Sequence, residues 1–228
     1  MGEIGLSKDA LIKIPQTTIL KKNVRISPCL KLRFKDYLLF TGSLSNKKDG
    51  VLNLIKAYDL VRERHLGLGL VITGFGSKEQ IRELHQTIEE LNLGDLVQVF
   101  LNLSSNDIPS LMKDAKILVS PRPYSLQALY GFPTKVAEYL MAGRPVVTSA
   151  FGDLSQHLID GVNAFVLPSG DIPIIAEAIL RVLDNYKDAI RVGIRGKELA
   201  LEMFDPQKNT RPLVDWLVKM ESSRRNAK

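Results

Sequence analysis

Two stretches of this 228-residue chain carry side chains of the types and spacing that could hold a phosphorylated ligand. The first is Gly42-Ser43-Leu44-Ser45-Asn46-Lys47-Lys48-Asp49-Gly50, directly after a short apolar run. Glycine admits a close backbone approach, and a following helix offers free N–H groups at its positive dipole end. Either Lys47 or Lys48 could neutralise a phosphate. The same residues equally make a polar turn with solvated lysines. They are not a Walker A loop, because the spacing and the terminal Lys-Ser/Thr pair are missing. The second stretch runs Gly131-Phe132-Pro133-Thr134-Lys135-Val136-Ala137-Glu138. Pro133 suits a first helical turn, where its missing N–H costs nothing. Thr134 and Lys135 then stand near a helix N-terminus, and Glu138 lies about one turn further on. A carboxylate there can accept hydrogen bonds from two vicinal ribose hydroxyls; taken alone, it reads more simply as a favourable early-helix charge.

Other candidates are weaker. Gly74-Phe75-Gly76-Ser77 could open space for a flat base beside Phe75, but such a pair of glycines is commonly just a strand-to-helix turn. His65 and His85 read as exposed helix positions, and His157 follows the Ser149–Asp153 loop. None has a triad partner at a recognisable spacing, and no pair has metal-ligand spacing. Cys29 is the single cysteine, so neither an intramolecular disulfide nor a thiol-rich metal site is expected. No metal or cofactor is expected.

The elements that must position these residues alternate regularly from Tyr37 onward. Apolar runs at 37–42, 68–74, 97–101, 116–120, 145–149 and 163–167 read as strands. Helical spacing follows at 51–64, from the Ser77/Gln80 capping box to about Leu91, at 107–114 and at 133–141. Three further helices are expected at 173–184, 187–203 and 206–220. Six apolar strands separated by helices imply right-handed crossovers and a parallel sheet covered on both faces. The expected fold is therefore α/β, a Rossmann-like doubly wound sheet with C-terminal helices. Ligands bind such sheets beyond the carboxyl ends of the strands, where both stretches fall.

Composition narrows the function. The net charge is +6 with a pI near 9.3, part of it in the tail 222–228. No dense basic stripe or aromatic interleaving accompanies it, which argues against nucleic acid. The first 15 residues lack a signal-peptide core, and no run approaches the ~20 apolar residues of a membrane span. A cytoplasmic protein, at most peripherally membrane-associated, is expected.

From about Tyr37 to Met220 the chain resembles the C-terminal, donor-binding domain of glycosyltransferase family 4, retaining enzymes of the GT-B fold. The likeness is carried by Phe40-Thr41-Gly42-Ser43-Leu44 with its lysines, Ile72-Thr73-Gly74-Phe75-Gly76, Ile117-Leu118-Val119-Ser120-Pro121, the 131–147 stretch and Asp160 to Asp171. The resemblance implies a nucleoside-diphosphate sugar as donor and an acceptor that it does not name. It places Glu138 on the second acid of a Glu-to-Glu motif that holds the ribose, and Lys47 or Lys48 on the diphosphate. It makes Gly42 the close-approach glycine and puts the amides of Phe132 to Lys135 on phosphate or sugar. Tyr130 stands eight residues before Glu138, where the family's first acid is usual. Ser43 replaces a common phosphate-binding arginine, a loss that a lysine or Arg122 could cover. A GT-B enzyme has two Rossmann-like domains, and here only 36 residues precede the first strand. The resulting expectation is a linker or residual segment at 1–36, a donor domain at 37–221 and a basic tail at 222–228. Such a chain reads as a truncated or split enzyme whose acceptor domain lies elsewhere, or else as a non-catalytic nucleotide-sugar-binding module. An apolar face of Leu213, Trp216 and Leu217 on the last helix would then lack cover.

Overall fold

The computed structural model describes residues 17–18, 31–131 and 134–226; Phe132 and Pro133 lie outside them. The apolar runs form β1 (Asp36–Ser43), β2 (Leu68–Phe75), β3 (Val97–Leu101), β4 (Ile117–Ser120), β5 (Val146–Ser149) and β6 (Phe165–Leu167). All pair in parallel, in the order β3-β2-β1-β4-β5-β6. The chain walks outward from β1 to one edge, then returns to β4 and walks to the other. The order therefore reverses between β1 and β4, which opens a crevice at their carboxyl ends.

The helices are α1 (Asn46–Asp49), α2 (Val51–Arg62), α3 (Lys78–Glu90), α4 (Ile108–Asp114), α5 (Leu126–Tyr130), α6 (Thr134–Ala142), α7 (Ile172–Asp184), α8 (Tyr186–Met203) and α9 (Pro206–Asn226). Alternate residues of β1 feed two cores, as a two-residue strand period demands. Leu38 and Phe40 pack with residues of α2, α3 and α7 such as Ile55, Leu84 and Ile179. Tyr37 and Leu39 pack with residues of α4, α6 and α8 such as Leu111, Leu140 and Ala200. Helix α3 opens with the expected capping box, Ser77 accepting from the Gln80 N–H and Gln80 from the Ser77 N–H.

Several expectations need correction. Helices α1 and α5 and a 3-10 turn at Gly152–Gln156 carry too few residues to show a period in sequence. Helix α5 starts where Ser125 Oγ accepts from the Ala128 N–H. Strand β6 begins at Phe165, because the Asn163 side chain closes a turn by bonding Ile159 N–H and His157 carbonyl. His65 is not on a helix: it lies past α2, its Nε2 3.3 Å from Asp184 Oδ1. On α9, Leu213 and Trp216 are half-buried, and the exposed apolar residues are Val214, Leu217, Val218 and Met220.

One buried bond ties α6 to the central strand. The Thr41 N–H donates to Tyr139 Oη at 2.7 Å, inside the second core. Replacing Tyr139 with Phe leaves that N–H without its acceptor, and should cost about 1–3 kcal/mol of stability. A urea titration should show a lower midpoint with an unchanged slope; an unshifted midpoint would mean that packing alone holds α6.

Candidate functional site

The crevice holds a cavity of about 420 Å³ beneath the carboxyl ends of β1, β2 and β4. Strand β1 brings Thr41, Gly42 and Ser43 to it, and β2 brings Thr73, Gly74 and Phe75. A Cβ on Gly74 would run into the Gly42 carbonyl oxygen, so a bare backbone lets the two strand ends meet. Phe75, 62% exposed, stands on the cavity wall with Asn102 and Leu103 from the exit of β3 and Ile108 of α4. This end is flat and apolar enough for an aromatic base.

The opposite end is ionic. Asp49, 4% exposed, places Oδ2 at 2.7 Å from Lys135 Nζ and Oδ1 at 3.8 Å from Arg122 Nε. Its Oδ2 also accepts the Ser43 N–H at 3.0 Å, which fixes the carboxylate against the end of β1. Gly42, at φ +140, leaves room for this arrangement, because a Cβ there would land on Lys135 Nζ. The ammonium also lies 5.0 Å from the Phe40 ring centroid, a cation–π distance. Lys135 and Arg122 are 15% and 7% exposed, so two cations share one carboxylate away from bulk water. Burial holds the Lys135 ammonium below its ordinary pKa, and the neighbouring Asp49 opposes that shift. Buried charge of one sign in excess is costly unless an anion completes it.

The sequence candidates divide accordingly. Gly42, Ser43, Lys48, Gly74, Phe75, Arg122, Thr134, Lys135 and Glu138 all line the cavity. Both lysines of the loop are exposed, and of the two only Lys48 lines the cavity. Phe132 and Pro133 fall outside the described residues. Glu138 is half-buried one turn along α6, and burial pushes its carboxyl pKa up while Lys135 opposes the rise. Tyr130, at the position of the expected acid, points largely to solvent at 84% exposure. Sequence reasoning gave Asp49 no role, although an acid beside two lysines and a glycine was its signal. Thr41, Thr73, Asn102, Leu103, Ile108 and Gln127 were missed as well, for they become neighbours only through the sheet order.

Removing the shared carboxylate tests this charge balance. Asp49→Asn leaves both cations unpaired and should destabilise the chain by about 3–5 kcal/mol. Inorganic pyrophosphate should restore more stability to the variant than to the parent in parallel urea titrations. Equal gains would mean that these cations are not the anion site.

Comparison with known proteins bears on the family and the fold. Residues 31–199 match the family described as glycosyl transferases group 1. The MMP alpha-(1->4)-mannosyltransferase of Mycolicibacterium hassiacum is 27% identical over 77% of this chain and 41% of its own length. A glycogen synthase of Mycobacterium tuberculosis is 28% identical over 75% of this chain and 39% of its own. The chain thus spans about two fifths of these relatives. Among solved structures, Anabaena HepE in complex with UDP-glucose superposes with a TM-score of 0.69 at 23% identity, over 82% of this chain and 49% of that one. The C-terminal domain of a Francisella tularensis group 1 glycosyl transferase gives 0.65 at 18% identity, over 75% and 86%. With six parallel strands in a GT-B-type Rossmann-like sheet and a family match across most of its length, this chain belongs to the group 1 glycosyl transferases.

Proposed function

We propose that this chain is the donor-binding half of a retaining glycosyltransferase that uses a nucleoside-diphosphate sugar. The observation that carries the reading is the buried pair of cations, Lys135 and Arg122, sharing the single carboxylate of Asp49 beside Lys48. In this reading the diphosphate lies over Gly42, between Lys48 and the N-terminus of α6. Glu138 takes the ribose hydroxyls, and the base rests near Phe75. The bound UDP-glucose of the similarly folded Anabaena protein supports such a ligand.

Transfer breaks the bond between the anomeric carbon and the β-phosphate oxygen. The acceptor hydroxyl oxygen forms the new bond, the nucleoside diphosphate leaves carrying the electron pair, and its newly charged phosphate oxygen takes up the acceptor's proton. Negative charge therefore grows on the phosphate as the reaction proceeds. Cations already fixed in a poorly solvated place stabilise that charge without reorganising. The neutralising charge comes from side chains, so the proposed step requires no metal. The acceptor-binding remainder would belong to a separate domain, as the share of the relatives spanned suggests. One observation favours a second reading, a non-catalytic binding module: Tyr130 offers no carboxylate beside the sugar. Turnover with the remaining domain supplied separates the two; donor binding without transfer under every pairing would leave only the module.

Binding measurements test the donor assignment. Glu138→Ala should weaken UDP binding by about 1–3 kcal/mol, the worth of charge-assisted hydrogen bonds. Unchanged calorimetric affinity would remove Glu138 from the site. Because burial raises the Glu138 pKa, acidification protonates it earlier than an ordinary glutamate. UDP affinity should therefore begin to fall at a pH above the usual carboxylate range, and Glu138→Gln should abolish that part of the dependence. Lys48→Gln should weaken UDP far more than uridine, and added salt should narrow the gap; equal losses would assign Lys48 to shaping the loop.

A further inference from the structure

A second cavity, of about 490 Å³, opens on the other side of α5. Helix α5 acts as a partition. Gln127 faces the first cavity, Leu129 and Tyr130 face the second, and Gly131 at the end of the helix borders both. The opposite wall comes from the exit of β5: Phe151, then Asp153 to Gln156 on the 3-10 turn. Leu129 and Leu154 supply apolar surface, while Asp153, Ser155 and Gln156 supply hydrogen-bonding groups. Phe151 is held by an edge-to-face contact with Tyr124, ring centroids 5.6 Å apart.

The distribution of aromatics points the same way. Among the described residues the exposed phenylalanine, tyrosine and tryptophan side chains are Phe75, Tyr124 and Tyr130, all at or beyond the carboxyl ends of strands. Phe75 belongs to the first cavity; Tyr130 lines the second, and Tyr124 braces its Phe151. Exposed aromatic faces beside a carboxylate, an amide and a hydroxyl match a ligand with apolar C–H faces and an equatorial rim of hydroxyls. A pyranose ring has that chemistry. The volume falls within the range of small-molecule sites.

We propose that this second cavity binds a pyranose ring of the acceptor glycan, so that the donor domain itself contributes to acceptor recognition. The inference rests on the reading of the first cavity as the donor site. In that reading the donor's own sugar lies on the near side of α5, where Gln127, Gly131 and Glu138 line the first cavity. A ring on the far side would meet it only at Gly131, the border the two cavities share. Tyr130, which replaces an acid at this border, becomes a stacking surface for the acceptor and a residue that selects it.

Saturation-transfer NMR on the full 228-residue chain tests this, with UDP present and malto-oligosaccharide or α-linked mannobiose as probes. The parent chain should transfer saturation to protons of at least one glycan. Tyr130→Ala should weaken that glycan about five-fold, the scale of one aromatic contact, and leave UDP affinity unchanged. Gln156→Ala, an exposed change on the opposite wall, should weaken the same glycan without affecting UDP. Calorimetry with UDP-glucose against UDP identifies the source of the ring. If Tyr130→Ala lowers UDP-glucose affinity but not glycan binding, the cavity holds the donor's sugar and the proposal fails. It fails equally if UDP binds and neither glycan does. If glycan binds and is lost in both variants but UDP does not bind, the donor reading falls while the saccharide site stands.

Discussion

A single carboxylate lies between two cations where water scarcely reaches, and the crevice is arranged around it. Asp49 fixes the Ser43 amide at the end of β1, draws in Lys135 from α6, and faces Arg122 from the exit of β4. Three segments that are remote in sequence are thereby pinned at the switch point of the sheet. Two cations contact this one buried carboxylate, while the half-buried Glu138 acts on Lys135 from further along α6. In a poorly solvated place an imbalance of charge is costly unless a further negative charge completes it.

The sheet topology decides that these groups meet at all. Because β1 and β4 are neighbours, the loops after them share one crevice, and α6 enters it with its N-terminus foremost. Two glycines then set how closely the parts can approach. A side chain on Gly74 would strike the backbone of β1, and one on Gly42 would displace the Lys135 ammonium. The buried bond from Thr41 to Tyr139 holds α6 at the required depth. Stability and ligand chemistry therefore draw on the same few residues.

Helix α5 adds a second level of organisation. It is only five residues long, yet it divides the crevice into an ionic chamber and an aromatic one that share Gly131. It also gives Tyr130 a physical setting, on the chamber that the cations do not line.

Much of this is legible in the sequence. Apolar runs without polar interruption are readable as buried parallel strands, and the regular alternation with helices leads to a doubly wound sheet. The Ser77/Gln80 box, the positions of Lys135 and Glu138 on α6, and the glycine-punctuated loops follow from local rules of capping and backbone geometry. Those rules act within a few residues, so sequence alone exposes them. What the sequence by itself did not determine was pairing across distance. Nothing local in the 42–50 loop says that Asp49 turns inward to Lys135, 86 residues away, while Lys47 stays in solvent. Likewise α5 and the 3-10 turn are too short to show a period, and their cavity exists only because β4 and β5 are adjacent. Burial, charge compensation and the partition of the crevice are properties of neighbours in space, and only the tertiary structure chooses those neighbours.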